Sequence, residues 1–231
     1  YVNDHKLYGK LEVCGICCTA HDMTRYDKMA KIVGPISWQL RFIRSGVPDV
    51  VVVDEQCIRA DVLLEAQKVH APLIATTERV CNGLPDRTAD KPENVVADLV
   101  EGRVPGVLIL DPKLVGEVAI EVALELAPKR RKFKIIPSPE EIIEASQKCS
   151  SCSECQRACP QNLPLVAAVA EAKKGSLVNF AALYETCIGC GRCEHACKNR
   201  LPLHSYIVGA SQVKIRNERS KIRVGRGGIQ D

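Results

Sequence analysis

The stretch "KCSSCSECQRACP", residues 148–160, sets four cysteines at gaps of two, two and three residues and follows the last with a proline. Almost the same stretch returns as "TCIGCGRCEHACK", residues 186–198, with every cysteine displaced by 38 residues. The repeat continues beyond the thiols: "LPL" at 163–165 recurs as "LPL" at 201–203. The chain has 13 cysteines, an odd number, and eight of them lie in these two arrays, which points to metal rather than disulfides.

Cys149, Cys152, Cys155 and Cys159 fit C-x2-C-x2-C-x3-C-P, the bacterial-ferredoxin array for 4Fe–4S clusters. Three thiolates from one short loop each reach a different iron of one cube. The fourth points away and serves the neighbouring cube. The spacing predicts that Cys159 opens the next helix, with Pro160 in its first turn, where a missing N–H costs nothing. Each array therefore needs the other's last cysteine. One cluster is expected on Cys149, Cys152, Cys155 and Cys197, the other on Cys187, Cys190, Cys193 and Cys159. Lys198 replaces the second proline and places a cation next to a cluster. Zinc fits less well, because it prefers two CxxC pairs separated by a longer loop. His195 and His204 read as surface or packing residues rather than ligands. Two such cubes conduct electrons and have no open coordination position, so any catalysis must come from the rest of the chain.

The remainder is globular in composition, with 46% hydrophobic residues in 231. A net charge of +4 is too mild to argue for nucleic acid, and no apolar run approaches the ~18 residues of a membrane span. Thiolate clusters suit a reducing cytoplasm, the expected location. The opening Tyr1 and the closing "IRVGRGGIQD" read as a piece of something larger.

Upstream of the arrays, apolar strands alternate with helices. "LEVCGICC" reads as a short strand entering a turn, and 37–46 as a helix stopped by Gly46. "DVVVVDEQ" (49–56) is a β-branched run suited to a strand buried on both faces. Helices are predicted over 61–69, 93–100 and 115–126, and strands at "PLIATT" and "GVLIL". This alternation predicts a doubly wound, Rossmann-like parallel sheet over 1–136. A basic run, "PKRRKFK" (128–134), marks the boundary to an inserted α+β ferredoxin-like domain over 137–207. Residues 208–231 then begin a further α/β segment.

Five cysteines lie outside the arrays. Cys14, on a strand, and Cys81 read as core residues. Cys17 and Cys18 at one strand end, and Cys57 at another, suit soft-metal ligation. Reactive groups gather beyond the carboxyl ends of strands, and adjacent parallel strands would bring these two sites together.

"GICCTAHDMTRY" (15–26), "FIRSGVPDVVVVDEQCIRAD" (42–61), "GLPDRT" (83–88), the double array and "SKIRVGRGGIQD" together resemble the α subunits of archaeal acetyl-CoA decarbonylase/synthase complexes, the nickel–iron carbon monoxide dehydrogenases. The resemblance covers nearly the whole chain. It implies reversible oxidation of CO with water to CO2, two electrons and two protons, at a Ni–Fe–S centre called the C-cluster. It implies Cys18 and Cys57 as two ligands of that cage, with Cys17 close by, and the remaining ligands and acid–base groups outside these residues. His5 does not match the family's histidine ligand, and His21, at a position that need not be histidine, reads as a residue beside the centre or on the surface. Implied partners are a ferredoxin, the other subunits of the complex and the remaining part of the same subunit. An iron–sulfur electron-transfer module without a catalytic site is the competing reading, since a carrier has no need of the Cys18 and Cys57 pair.

Overall fold

The β-branched run at 49–56 contains a strand of only three residues, Val51–Val53. It belongs to the first of two units of the chain, Tyr1–Lys134; the second is Ile135–Asp231. The computed structural model describes residues 1–55, 58–130, 132–218, 223–225 and 228–230, with side chains as far as Gln212.

The first unit alternates strictly. β1 (Cys14–Ile16) leads into α1 (Cys17–Tyr26), then β2 (Lys31–Gly34) and α2 (Gln39–Arg44). β3 (Val51–Val53), α3 (Val62–Lys68), β4 (Leu73–Ala75), α4 (Pro92–Val100), β5 (Gly106–Leu108) and α5 (Pro112–Arg130) follow. Every strand pair is parallel, as strand–helix–strand crossovers require. The single sheet expected from sequence is instead two sheets, β1–β2 and β3–β4–β5. Strand order does not reverse within either sheet, so the doubly wound switch point is not seen among the described residues.

The core explains the pattern. Leu73, Ile74 and Ala75 of the central strand are fully buried. Pro92 opens α4, where its missing N–H is harmless. The buried face of α4, Val95, Val96, Leu99 and Val100, packs on Leu114, Val118, Val122 and Leu126 of α5, which recur every fourth residue. β3 lies at the edge, and Val52 is 47% exposed, contrary to the expectation of burial on both faces. Arg130, 4% exposed, closes the last turn of α5 by donating to the Gly46, Pro48 and Val69 carbonyls and to Asp49.

The second unit contains α6 (Pro139–Ser146), α7 (Glu154–Arg157), α8 (Leu165–Ala172), α9 (Val178–Ala182), α10 (Arg192–Ala196) and α11 (Leu203–Glu218). A capping box starts α6: Glu141 N–H donates to Ser138 Oγ, and Ser138 N–H to the Glu141 carboxylate. Ile142, Leu165, Phe180, Leu203 and Ile207 form its core, with Phe180 set edge-on to Tyr206 at 5.8 Å. Gly209 lets α11 approach the chain entering α6; a Cβ there would lie 2.7 Å from the Pro137 carbonyl oxygen. Between 137 and 207 the described residues form helices and loops without strands, so the α+β expectation for this stretch is corrected to helices alone. The short, alanine-rich segments between the cysteine loops suit helices better than strands. α11 runs across residue 208, and β6 (Arg223–Gly225) and β7 (Gly228–Gln230) pair antiparallel beyond it. No helix of the described residues is long and apolar enough to cross a membrane.

Candidate metal centres

The two cysteine arrays fold as the same object twice. Ser151 and Ser153 adopt φ of +56° and +65°, and their counterparts 38 residues on, Gly189 and Gly191, adopt +67° and +73°. Asn162 and Arg200, another such pair, stand at +49° and +51°. These left-handed residues coil each loop so that its thiols turn inward. Backbone N–H groups then meet the sulfurs in matched pairs. Ser151 donates to Cys149 at 3.4 Å and Gly189 to Cys187 at 3.4 Å. Leu163 donates to Cys159 at 3.5 Å and Leu201 to Cys197 at 3.4 Å.

The repeat extends to residues that carry no sulfur. Gln156 Oε1 accepts from Val166 N–H at 3.4 Å, and Glu194 Oε1 accepts from His204 N–H at 2.8 Å. Both pairs obey the 38-residue displacement, a signal that extending the repeat beyond the cysteines would have found. Each bond ties the short helix after a loop, α7 or α10, to the start of α8 or α11.

Cys149, Cys152, Cys155 and Cys197 line a single pocket. Val166, Val169, Leu201 and Leu203 form its apolar wall. Cys155 is buried, and burial pushes its thiol pKa up; the Gln156 N–H opposes this, while Cys149, Cys197 and Cys152 raise it further. The Cys152 thiol is pushed down, first by the Glu154 N–H, with help from the Ser150 hydroxyl and the charge of Lys198. Four thiolates crowded against an apolar wall repel one another unless a bound cation compensates them. The donor set therefore fits a cationic iron–sulfur core: soft sulfurs, N–H groups aimed at them, and a dry wall. Tyr206 lies near Cys197 and is pushed up to about 12, chiefly by burial. Among the described residues, no three His, Cys, Asp or Glu side chains gather as a site for one metal ion.

Of the second expected ligand set, Cys159, Cys187, Cys190 and Cys193 are all half-buried, and Cys159, Cys187 and Cys193 pack against the same core. Cys159 does not open a helix, as the spacing predicted. It follows α7, and α8 starts only at Leu165, after Pro164. The intervening turn at Asn162 is what brings the Leu163 N–H back onto the Cys159 sulfur.

In the first unit the Cys17 and Cys18 sulfurs lie 3.9 Å apart at the start of α1, with Cys18 exposed. Cys17 itself holds φ +58°. β1 pairs with β2, and β3 with β4, so the expectation that the strands before Cys18 and Cys57 are sheet neighbours is corrected. A side-chain bond joins the two turns instead: Thr19 Oγ1 donates to Asp54 Oδ2 at 3.1 Å. Cys57 lies outside the described residues. Cys14 is exposed rather than in the core, and Cys81 is half-buried. His204 is 2% exposed, a packed residue at the head of α11.

The chain is similar along its whole length to three archaeal proteins. It is 52% identical to the acetyl-CoA decarbonylase/synthase complex subunit alpha of Methanothermobacter thermautotrophicus, covering 30% of that protein. It is 47% identical to subunit alpha 1 from Archaeoglobus fulgidus, covering 29%. Against subunit alpha 1 from Methanopyrus kandleri the identity is 45%, covering 30%. The chain thus spans about 30% of the length of these relatives. Residues 2–196 match the Prismane/CO dehydrogenase family, a stretch that takes in the first cysteine array and the second as far as Cys193. With the motifs, the cysteine pocket and this match in agreement, the chain belongs to the Prismane/CO dehydrogenase family.

Proposed function

We propose that the chain is part of a carbon monoxide dehydrogenase subunit acting in acetyl-CoA synthesis or cleavage. Its second unit holds two 4Fe–4S clusters, on Cys149, Cys152, Cys155 and Cys197 and on Cys187, Cys190, Cys193 and Cys159. Its first unit contributes Cys18 and Cys57 to a Ni–Fe–S centre completed by residues outside this chain. The observation that carries the reading is the convergence of Cys197 with Cys149, Cys152 and Cys155 on one pocket. A thiol from the second array lining the first loop's pocket is the arrangement that a shared ligand shell requires.

When bound, the Ni–Fe–S centre supplies the interconversion of CO and water with CO2, two electrons and two protons. The chain's own part is to hold and insulate. The N–H groups of Ser151 and Leu201 orient the Cys149 and Cys197 sulfurs. The apolar wall keeps water from one side of the first pocket. Held on these eight thiolates, two 4Fe–4S cubes would supply one-electron transfer, toward or from a ferredoxin and the other subunits of the complex.

Anaerobic reconstitution of the chain with iron and sulfide tests this. About eight irons and eight sulfides per chain are expected, as two cubes demand. Stoichiometric zinc bound in preference to iron would overturn the reading.

A further inference from the structure

We propose, resting on the iron–sulfur reading above, that Lys173 and Asn199 are positioning residues: they fix the direction of the Cys149 thiol and hold it in register with Cys197 before iron arrives.

Cys149 sits where α6 gives way to the first array, and the peptide group on each side of its Cα is pinned. Its N–H donates to the Ser146 carbonyl at 3.0 Å. The Lys148 carbonyl, on the same peptide plane, accepts from the Asn199 side-chain amide. The next plane is held by Lys173, whose Nζ donates to the Cys149 carbonyl at 2.7 Å. Gln147 returns the contact: its Nε2 donates to the Lys173 carbonyl at 3.0 Å, just past the end of α8. Each residue has only two soft backbone dihedrals, so fixing both planes fixes where the Cβ–Sγ arm of Cys149 leaves the chain.

Asn199 belongs to the other array. It stands inside the turn that presents Cys197: the Arg200 N–H donates to the Cys197 carbonyl at 2.9 Å and the Leu201 N–H to the Cys197 sulfur at 3.4 Å. Across 51 residues of sequence, one amide ties the loop of the first thiol to the loop of the fourth. The corresponding side chains of the second array differ. Thirty-eight residues after Gln147 stands Glu185, whose ionised carboxylate has no donor. Thirty-eight after Lys173 stands Ser211, whose hydroxyl donates to the Val208 carbonyl of its own helix at 2.9 Å. Gln161, the counterpart of Asn199, keeps an amide and is exposed. The asymmetry between the arrays therefore lies at Lys173 and Gln147. Thiols ordered before the metal binds spare the cluster the cost of ordering them, the usual benefit of preorganisation.

The test follows iron release to a ferrous chelator from the reconstituted full chain, one cube at a time. Cys190→Ser leaves the first cube and Cys152→Ser leaves the second, about four irons in each case. In the Cys190→Ser chain, Lys173→Met is expected to speed release roughly tenfold and Asn199→Ala roughly fivefold, the weight of one charged and one neutral hydrogen bond. Lys173→Arg, which keeps a cationic donor, restores the slow rate. In the Cys152→Ser chain the same changes leave the rate where it was. A unit loosened as a whole would release both cubes faster. Acceleration in both backgrounds or in neither overturns the proposal, as does an arginine variant no slower than the methionine one. A parent chain that binds no cubes overturns the iron–sulfur reading itself, and this inference with it.

Discussion

Thr19 Oγ1 donates to Asp54 Oδ2 at 3.1 Å across 35 residues of sequence. Thr19 directly follows the cysteine pair, and Asp54 stands three residues before Cys57. A threonine–carboxylate bond thus links two turns that sheet pairing leaves in separate sheets.

If Cys18 and Cys57 are ligands of one cage, their thiols lie within reach of a short bifunctional thiol reagent. The experiment uses a Cys17→Ser chain with its cubes reconstituted, so that the array cysteines are protected. Dibromobimane is expected to link Cys18 to Cys57, seen as one cross-linked peptide pair by mass spectrometry. Thr19→Val lowers the yield by loosening the tie. Separate labelling of the two thiols without a cross-link removes Cys18 and Cys57 from a common metal centre and leaves the electron-transfer module as the better account.

Crossed ligation is decided by non-additivity. Cys197→Ser combined with Cys152→Ser removes no more iron than either change alone, because both strike one cube; about four irons remain. Cys197→Ser combined with Cys190→Ser empties both. Cys159→Ser pairs in the opposite sense, adding nothing to Cys190→Ser. Iron content that falls to zero in the Cys197 and Cys152 double variant would reverse the pairing.

Arg130 tests how the first unit is closed. Its guanidinium donates to Asp49 Oδ1 at 2.6 Å, to the Pro48 and Val69 carbonyls at 2.7 Å, and to the Gly46 carbonyl at 3.1 Å. Arg130→Met keeps the stem but strands these acceptors. A loss of about 3 kcal/mol is expected, since the Asp49 carboxylate and several carbonyls go unmatched. Urea unfolding measures it; a change below about 1 kcal/mol would mean that water replaces the guanidinium without cost.

Much of this protein is local chemistry, and that part is legible in the chain. The array spacing and its 38-residue echo depend only on how far a short loop reaches, and the left-handed turns at Gly189 and Gly191 are what glycine permits at least cost. The strand–helix alternation of the first unit follows from hydrophobic period and β-branching at Val51–Val53 and its neighbours. The tertiary structure decided what periodicity leaves degenerate. Whether β1 pairs with β2 or β3 depends on packing between segments distant in sequence, and the chain settled on β2. The serines at 151 and 153 take the same left-handed geometry as glycine, yet only the folded unit exposes one loop and buries the other. Pro160 looked like a helix start because its own φ suits one, but the turn at Asn162 postpones α8 to Leu165 and aims the Leu163 N–H at the Cys159 sulfur. Local preference favours a conformation; the burial and hydrogen-bonding demands of the whole unit select which one is used.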